Sequence, residues 1–125
     1  MEGYNKSLGK FGEQCAEKFL KKKKYKILNR NFLIRGGEID LIAQKGEYLV
    51  FIEVKTRTDF KFGTPSDAVT YHKKQRMIKA AGVYLQRYGN AYARFDVIEV
   101  FVGKCGDKFK LEKINHITNA FTKEG

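Results

Sequence analysis

Residues 37–56 read GEIDLIAQKGEYLVFIEVKT. Two stretches within them, 38–44 (EIDLIAQ) and 48–56 (YLVFIEVKT), have the length and the β-branched and aromatic content of strands. Lys45-Gly46-Glu47-Tyr48 lie between them, and glycine at the first central position of a two-residue loop predicts a type II′ hairpin turn. That turn fixes a register. Lys45 pairs with Tyr48, and stepping outward sets Asp40 opposite Glu53 and Glu38 opposite Lys55. Because side chains alternate along a strand, all four groups share one face of two adjacent strands. A slip of one residue would scatter them.

Directly opposed residues have Cβ atoms about 5 Å apart. Two carboxylates at that distance repel by roughly 3 kcal/mol at an effective dielectric of about 20. Their neighbours Ile39, Leu41, Val50, Ile52 and Val54 are apolar, so water screens them weakly. Either one carboxylate takes up a proton or a cation sits between them. Hard oxygen donors with open positions suit Mg²⁺ or Mn²⁺. A cross-strand salt-bridge network is the competing reading, with Glu38 and Lys55 as an ordinary pair; it leaves the opposition of Asp40 and Glu53 unexplained.

Outward from the hairpin, residues 6–23 predict a helix. Leu8, Phe11, Cys15 and Phe19 recur at steps of three and four, with Gly12, Ala16 and Leu20 beside them. Lys21–Lys24 suit a helix C-terminus or a phosphate contact. Residues 26–35 predict a strand broken by Gly36-Gly37, and residues 57–66 a loop. A second helix is expected from about residue 67 to 88, capped by Ser66 or Asp67, with an inner stripe of Tyr71, Ile78, Gly82 and Leu85 and with Ala81 and Tyr88 beside it. Strands at 92–102 and 108–114 follow, then a short turn or helix at 115–122. The order, α-β-β-β-α-β-β, predicts a single α/β domain over residues 1–125, with a mixed sheet flanked by helices.

The chain has 125 residues and a formal net charge of +11. Segments 1–35 and 54–94 each carry +7, segment 36–53 carries −3, and 95–125 balance. An acidic island between basic flanks suits a site that holds a cation beside a phosphate, and the excess of positive charge points to nucleic acid. Cys15 and Cys105 are far apart and match neither a disulfide framework nor a zinc site. His72 and His116 match no metal spacing, and Asp96, between Phe95 and Val97, is expected to be structural. Apolar runs such as Leu49–Ile52 are too short to span a membrane, and the N-terminal stretch lacks the apolar region of a signal peptide, so a cytoplasmic protein with no membrane partner is expected.

The Asp40…Glu53-x-Lys55 arrangement resembles the PD-(D/E)XK nuclease motif, although Ile39 stands where the motif's name has Pro. The longer string GEIDLIA…VFIEVKTR, followed by FGTPSDAV, Lys73, Gln75, Ala80-Ala81 and Tyr84-Leu85, is similar to the YraN family of small bacterial endonuclease-like proteins. The resemblance implies an αβββαβ restriction-endonuclease-like core and a metal-dependent nuclease. Its relation to archaeal Holliday-junction resolvases implies branched DNA as a substrate. Asp40, Glu53 and the Val54 carbonyl then become the expected ligands of Mg²⁺ or Mn²⁺, with Glu13 of the first helix in support. Lys55 would orient or deprotonate the attacking water. Gln75, placed on the inner stripe between Tyr71 and Ile78, would hold Lys55 or that water, unless it is a core amide bonded to backbone. Arg57 and Lys73 are the candidate phosphate contacts, and Lys73 also fits a solvated face shared with Lys74, Arg76 and Lys79. Two symmetric cuts in a four-way junction would call for a homodimer. The alternative function is a nucleic-acid-binding module that keeps the fold without catalysis.

Overall fold

The computed structural model describes residues 2–58, 70–89 and 91–123, with side chains from residue 6 onward. The element order is α1 (Glu2–Lys22), β1 (Lys26–Ile34), β2 (Gly37–Lys45), β3 (Tyr48–Arg57), α2 (Tyr71–Tyr88), β4 (Tyr92–Cys105) and β5 (Lys108–Phe121). The strands form one mixed sheet in chain order, β1-β2-β3-β4-β5. Neighbours are antiparallel except β3 and β4, which run parallel because α2 carries the chain back between them.

Each helix covers one face of this sheet. Met77, Ala80, Ala81 and Tyr84 of α2 pack on Phe32, Ile39, Ile42, Phe51, Phe95 and Val97. Ala16 and Leu20 of α1 pack on Leu41, Ala43, Val50, Ile52, Ile98 and Val100. Consecutive residues such as Val50 and Phe51 therefore enter different cores. This is why the central strands read as continuous apolar runs rather than as alternation. The hairpin has the expected register, Lys45 on Tyr48 through Leu41 on Ile52. Gly46 sits at φ 59, as the first central position of a type II′ turn requires.

Two expectations are corrected. The buried stripe of α2 is Met77, Ala80, Ala81 and Tyr84, with the expected Ile78 and Leu85 only partly buried at its margin; Tyr71 is 71% exposed, and Gln75 is exposed with it. The helix rotates to bury its longest unbranched apolar chain and its two alanines, which let it lie close to β2. Residues 115–122 form neither turn nor helix but carry β5 onward, with Asn115, His116 and Ile117 paired to Glu99, Ile98 and Val97. Phe121 ends the strand stacked on Phe95, ring centroids 4.8 Å apart. The described part of α2 is capped by Thr70, whose hydroxyl accepts the Lys73 N–H at 3.2 Å; the caps expected at Ser66 or Asp67 lie outside the described residues.

Asp96 is structural, as expected. Its carboxylate is fully buried and takes Arg94 Nε and Nη2 at 2.9 and 2.8 Å, His116 at 2.7 Å and the Asn119 N–H at 2.9 Å. Burial alone would raise its pKa. The hydrogen bonds of His116, Arg94 and Asn119 outweigh that and hold the carboxyl below the usual range. The network ties the end of β5 to β4.

The seat of each helix depends on a missing side chain. A Cβ on Gly12 of α1 would lie 2.0 Å from Thr56 Oγ1 of β3, and one on Gly37 of β2 would lie 2.7 Å from the Arg76 carbonyl oxygen of α2. Gly12→Ala is expected to destabilise the protein by about 1–3 kcal/mol despite alanine's better helix propensity. Thr56→Ala in the same chain should recover most of the loss; equilibrium unfolding in urea measures both, and no recovery would refute the steric account. Asp96→Ala is expected to cost about 3 kcal/mol or more, because Arg94 is left partly buried without its carboxylate. A loss under about 1 kcal/mol would show that the network is dispensable.

Candidate active site

The β2–β3 ladder stops at Leu41 on Ile52, one step before Asp40 and Glu53. Beyond that point β2 remains paired with β1, through Ile34 on Gly37, and β3 remains paired with β4, through Arg57 on Phe101. The Val54 N–H donates to Asp40 Oδ2 at 2.8 Å instead of to a backbone carbonyl of β2. A side-chain carboxylate thus ends the central ladder and leaves a crevice between β2 and β3.

Asp40 and Glu53 meet in that crevice, close enough for the charge of one to bear on the ionisation of the other. Burial, followed by the charge of Asp40, pushes the Glu53 carboxyl up to about 7. Burial also raises Asp40, against the lowering effect of the Val54 N–H and the Lys73 charge. Glu53 Oε2 is buried and has no hydrogen-bond partner among the described residues.

Each helix contributes to the crevice. Glu13 of α1 lies close enough to Asp40 to be raised by its charge, after a larger effect from burial, while the Asn31 side chain acts to lower it. Asn31 sits on β1 at φ 51, a left-handed conformation that Asn tolerates better than most residues. From α2, Lys73 Nζ lies 2.5 Å from Glu38 Oε1 and 3.3 Å from Glu53 Oε2. Arg76 stands 4.0 Å from the same Glu38 oxygen. The close seat of α2 on Gly37 sets this reach.

Lys55 is half-buried and its charge lowers the pKa of Glu53, less strongly than Lys73 does. Its backbone partner in β4 is Glu99, which is 1% exposed and accepts from Asn115 Nδ2 at 2.8 Å. Arg57 Nη2 lies 3.5 Å from the other Glu99 oxygen.

Of the residues singled out in the sequence, the structure gathers Asp40, Glu53, Glu13, Lys55 and the Val54 backbone. Gln75 is not in the crevice. It is exposed, beside Gly36, His72, Arg76 and Lys79, because α2 presents a different stripe to the sheet. Lys73 belongs to the carboxylate cluster rather than to an open basic face, and Glu38 has Lys73, not Lys55, as its partner. Glu99 and Asn31 were missed. A lone acid in the apolar run VIEVFV was the available signal for Glu99; Asn31 had none beyond its turn-prone residue type. Among the described residues no three acidic, His or Cys groups stand ready as a metal-binding cluster.

The raised Glu53 pKa has a stability consequence. The folded protein keeps a proton that the unfolded chain releases above about pH 4.5, so this contribution is fully present below about 4.5 and is lost as pH rises through about 7. At most about 3 kcal/mol is involved. Glu53→Gln is therefore expected to raise the melting temperature at about pH 8.5 by several degrees and to change it little at about pH 5. Thermal unfolding followed by circular dichroism checks this, and an equal shift at both pH values would contradict it.

Residues 12–100 match the model of the uncharacterised protein family UPF0102. The chain is similar to a UPF0102 protein of Caldanaerobacter subterraneus subsp. tengcongensis, 49% identical over 118 residues that cover 93% of this chain and 95% of the relative. It is likewise similar to UPF0102 proteins of Geobacter metallireducens, 48% identical with 97% of both chains covered, and of Clostridium perfringens, 47% identical with 97% and 98% covered. With the family model spanning most of its length and relatives matching nearly end to end, this chain belongs to the UPF0102 family.

Proposed function

We propose that this protein is a metal-dependent nuclease of the PD-(D/E)XK type, acting on the phosphodiester backbone of DNA, with branched or otherwise structured DNA as the preferred form. One observation carries the reading. The central ladder is interrupted at a pair of carboxyl groups that burial forces together, and one buried oxygen of that pair, Glu53 Oε2, lacks a hydrogen-bond partner among the described residues. A fold gains no stability from such a pair, whereas a site for a hard cation requires it.

The residues present fit Mg²⁺ or Mn²⁺. Asp40 and Glu53 would hold the ion, with the Val54 carbonyl as a further oxygen and Glu13 in reach of a water bound to it. Once bound, the ion supplies an activated water and draws charge from a non-bridging phosphate oxygen. The chain's own groups do the rest. The Val54 N–H fixes the orientation of Asp40. Lys55 projects beside Glu53, where it can orient the attacking water and offset charge on the pentacoordinate phosphate. A cavity of roughly 520 Å³ between α1 and β1 starts at Glu13 and Asn31 and is bordered by Lys10 and Lys18, and by Arg30, which Glu17 holds at 2.6 and 2.7 Å. Its cations would hold the sugar–phosphate strand, which makes binding tolerant of sequence and sensitive to salt.

The wild-type protein is expected to cut labelled DNA with Mg²⁺ or Mn²⁺ and not with EDTA. The panel should hold linear, flapped, single-stranded and four-way substrates. Asp40→Ala and Lys55→Ala should each lower cleavage by about a hundredfold or more while retention in a gel-shift assay persists. Binding without cleavage of any substrate by the wild type would instead establish a non-catalytic binding module.

A further inference from the structure

Lys73 stands at the point toward which the carboxylates of the crevice converge. Its ammonium lies 2.5 Å from Glu38 Oε1 and 3.3 Å from Glu53 Oε2, and Asp40 also feels its charge. The two contacts are unequal. The ammonium hydrogen-bonds Glu38 at 2.5 Å, whereas it meets Glu53 Oε2 only as a looser ion pair at 3.3 Å. One positive charge therefore serves three acids, Glu38, Asp40 and Glu53, and leaves the most buried of them incompletely satisfied. Lys55 adds a second charge from β3 without closing that gap.

We propose that Lys73 is a displaceable internal counterion, which competes with a divalent cation for Glu38 and Glu53 and must withdraw when the ion binds. The inference rests on the metal-dependent reading given above and adds two residues to it. Lys73 holds the cluster in its ion-free state, and Glu38, which Lys73 releases on leaving, becomes a further oxygen donor at the site.

The local structure lets this exchange occur without rearranging the fold. The backbone of Lys73 is fixed in the first turn of α2, where its N–H bonds the Thr70 hydroxyl. Its side chain is 22% exposed, so a flexible four-carbon stem can swing the ammonium into solvent. Arg76 is 4.0 Å from Glu38 and remains beside it as Lys73 leaves. The exchange replaces a single charge at hydrogen-bond distance with a double charge in direct contact, which is what an undersatisfied carboxylate favours.

Mn²⁺ titration of the protein alone, without nucleic acid, tests the competition by calorimetry or by electron paramagnetic resonance of free Mn²⁺. Lys73→Met is expected to bind Mn²⁺ at least about tenfold more tightly than wild type. Lys79→Met, which removes the same charge from the same helix outside the cluster, should bind like wild type. Mn²⁺ should also raise the melting temperature of Lys73→Met more than that of wild type. If Lys73→Met does not fold alone, recovery of its far-UV circular dichroism on adding Mn²⁺ supports the inference, and no recovery overturns it. Affinity no tighter in Lys73→Met, or equally improved in Lys79→Met, overturns it as well. Mn²⁺-dependent cleavage by the wild type alongside such a result would leave the nuclease reading standing. No Mn²⁺ binding by any of the three proteins, with no cleavage, would remove both.

Discussion

The hydrogen bond from the Val54 N–H to Asp40 Oδ2 is the interaction on which the rest of the crevice depends. In a sheet covered on both faces, a backbone donor at the centre must find an acceptor inside the protein. Here the acceptor is a carboxylate rather than the neighbouring strand. That single substitution ends the β2–β3 ladder without leaving Val54 unpaired. It also commits Asp40 to one orientation, and Glu53, on the next residue toward the turn, is brought into the same small volume. The strain of two adjacent acids is thus a consequence of how the backbone is satisfied, and it cannot relax unless β2 or β3 abandons its other partner.

Both helices are placed so that this volume stays narrow. Gly12 lets α1 lie against Thr56, which carries the next residue, Glu13, to the edge of the crevice. Gly37 does the same for α2 and brings Lys73 within reach of Glu38 and Glu53. Close helix seats exclude water, strengthen every charge interaction inside and raise the cost of the unpaired ones. A fold selected only for stability would fill these positions with an apolar pair. The electrostatic tension is retained at the same place where the proposed chemistry needs carboxylates of high affinity for a cation.

Much of this was legible in the sequence because the decisive relation is local. Gly46-Glu47 fixed the hairpin, the hairpin fixed the register, and the register brought Asp40 to Glu53 before any tertiary contact was known. Relations that depend on packing were less accessible. The phase of α2 could not be read from its pattern, since Tyr71 and Tyr88 at its ends look apolar yet are exposed, while Met77 and two alanines make the contact. Turning the helix by that amount took Gln75 out of the crevice and put Lys73 in, so an error of phase became an error of role. The polar run NHITNA concealed the end of β5 for a similar reason. On an edge strand exposed along most of its length, the inward positions are Phe109, Ile114, His116 and Phe121, and the His116 ring packs against Phe19 and Tyr25.

The molecule also contains its own standard of comparison for a buried acid. Asp96 and Glu53 lie on adjacent strands of the same sheet, one register step apart, since Asp96 pairs with Ile52 and Glu53 with Val97. Asp96 receives Arg94 twice, His116 and a backbone amide, and its pKa is held below the ordinary value. Glu53 receives one ammonium, at 3.3 Å, and a second acid, and its pKa is driven upward to about 7. The sequence therefore supplies donors in full where a buried carboxylate has only to hold two strands together. Withholding them from Glu53, in a crevice that Glu13, Asp40 and Lys55 also border, leaves that carboxylate with coordinating capacity to spare. Burial is common to the two acids; what separates a structural carboxylate from an available one is how completely the protein has already answered its charge.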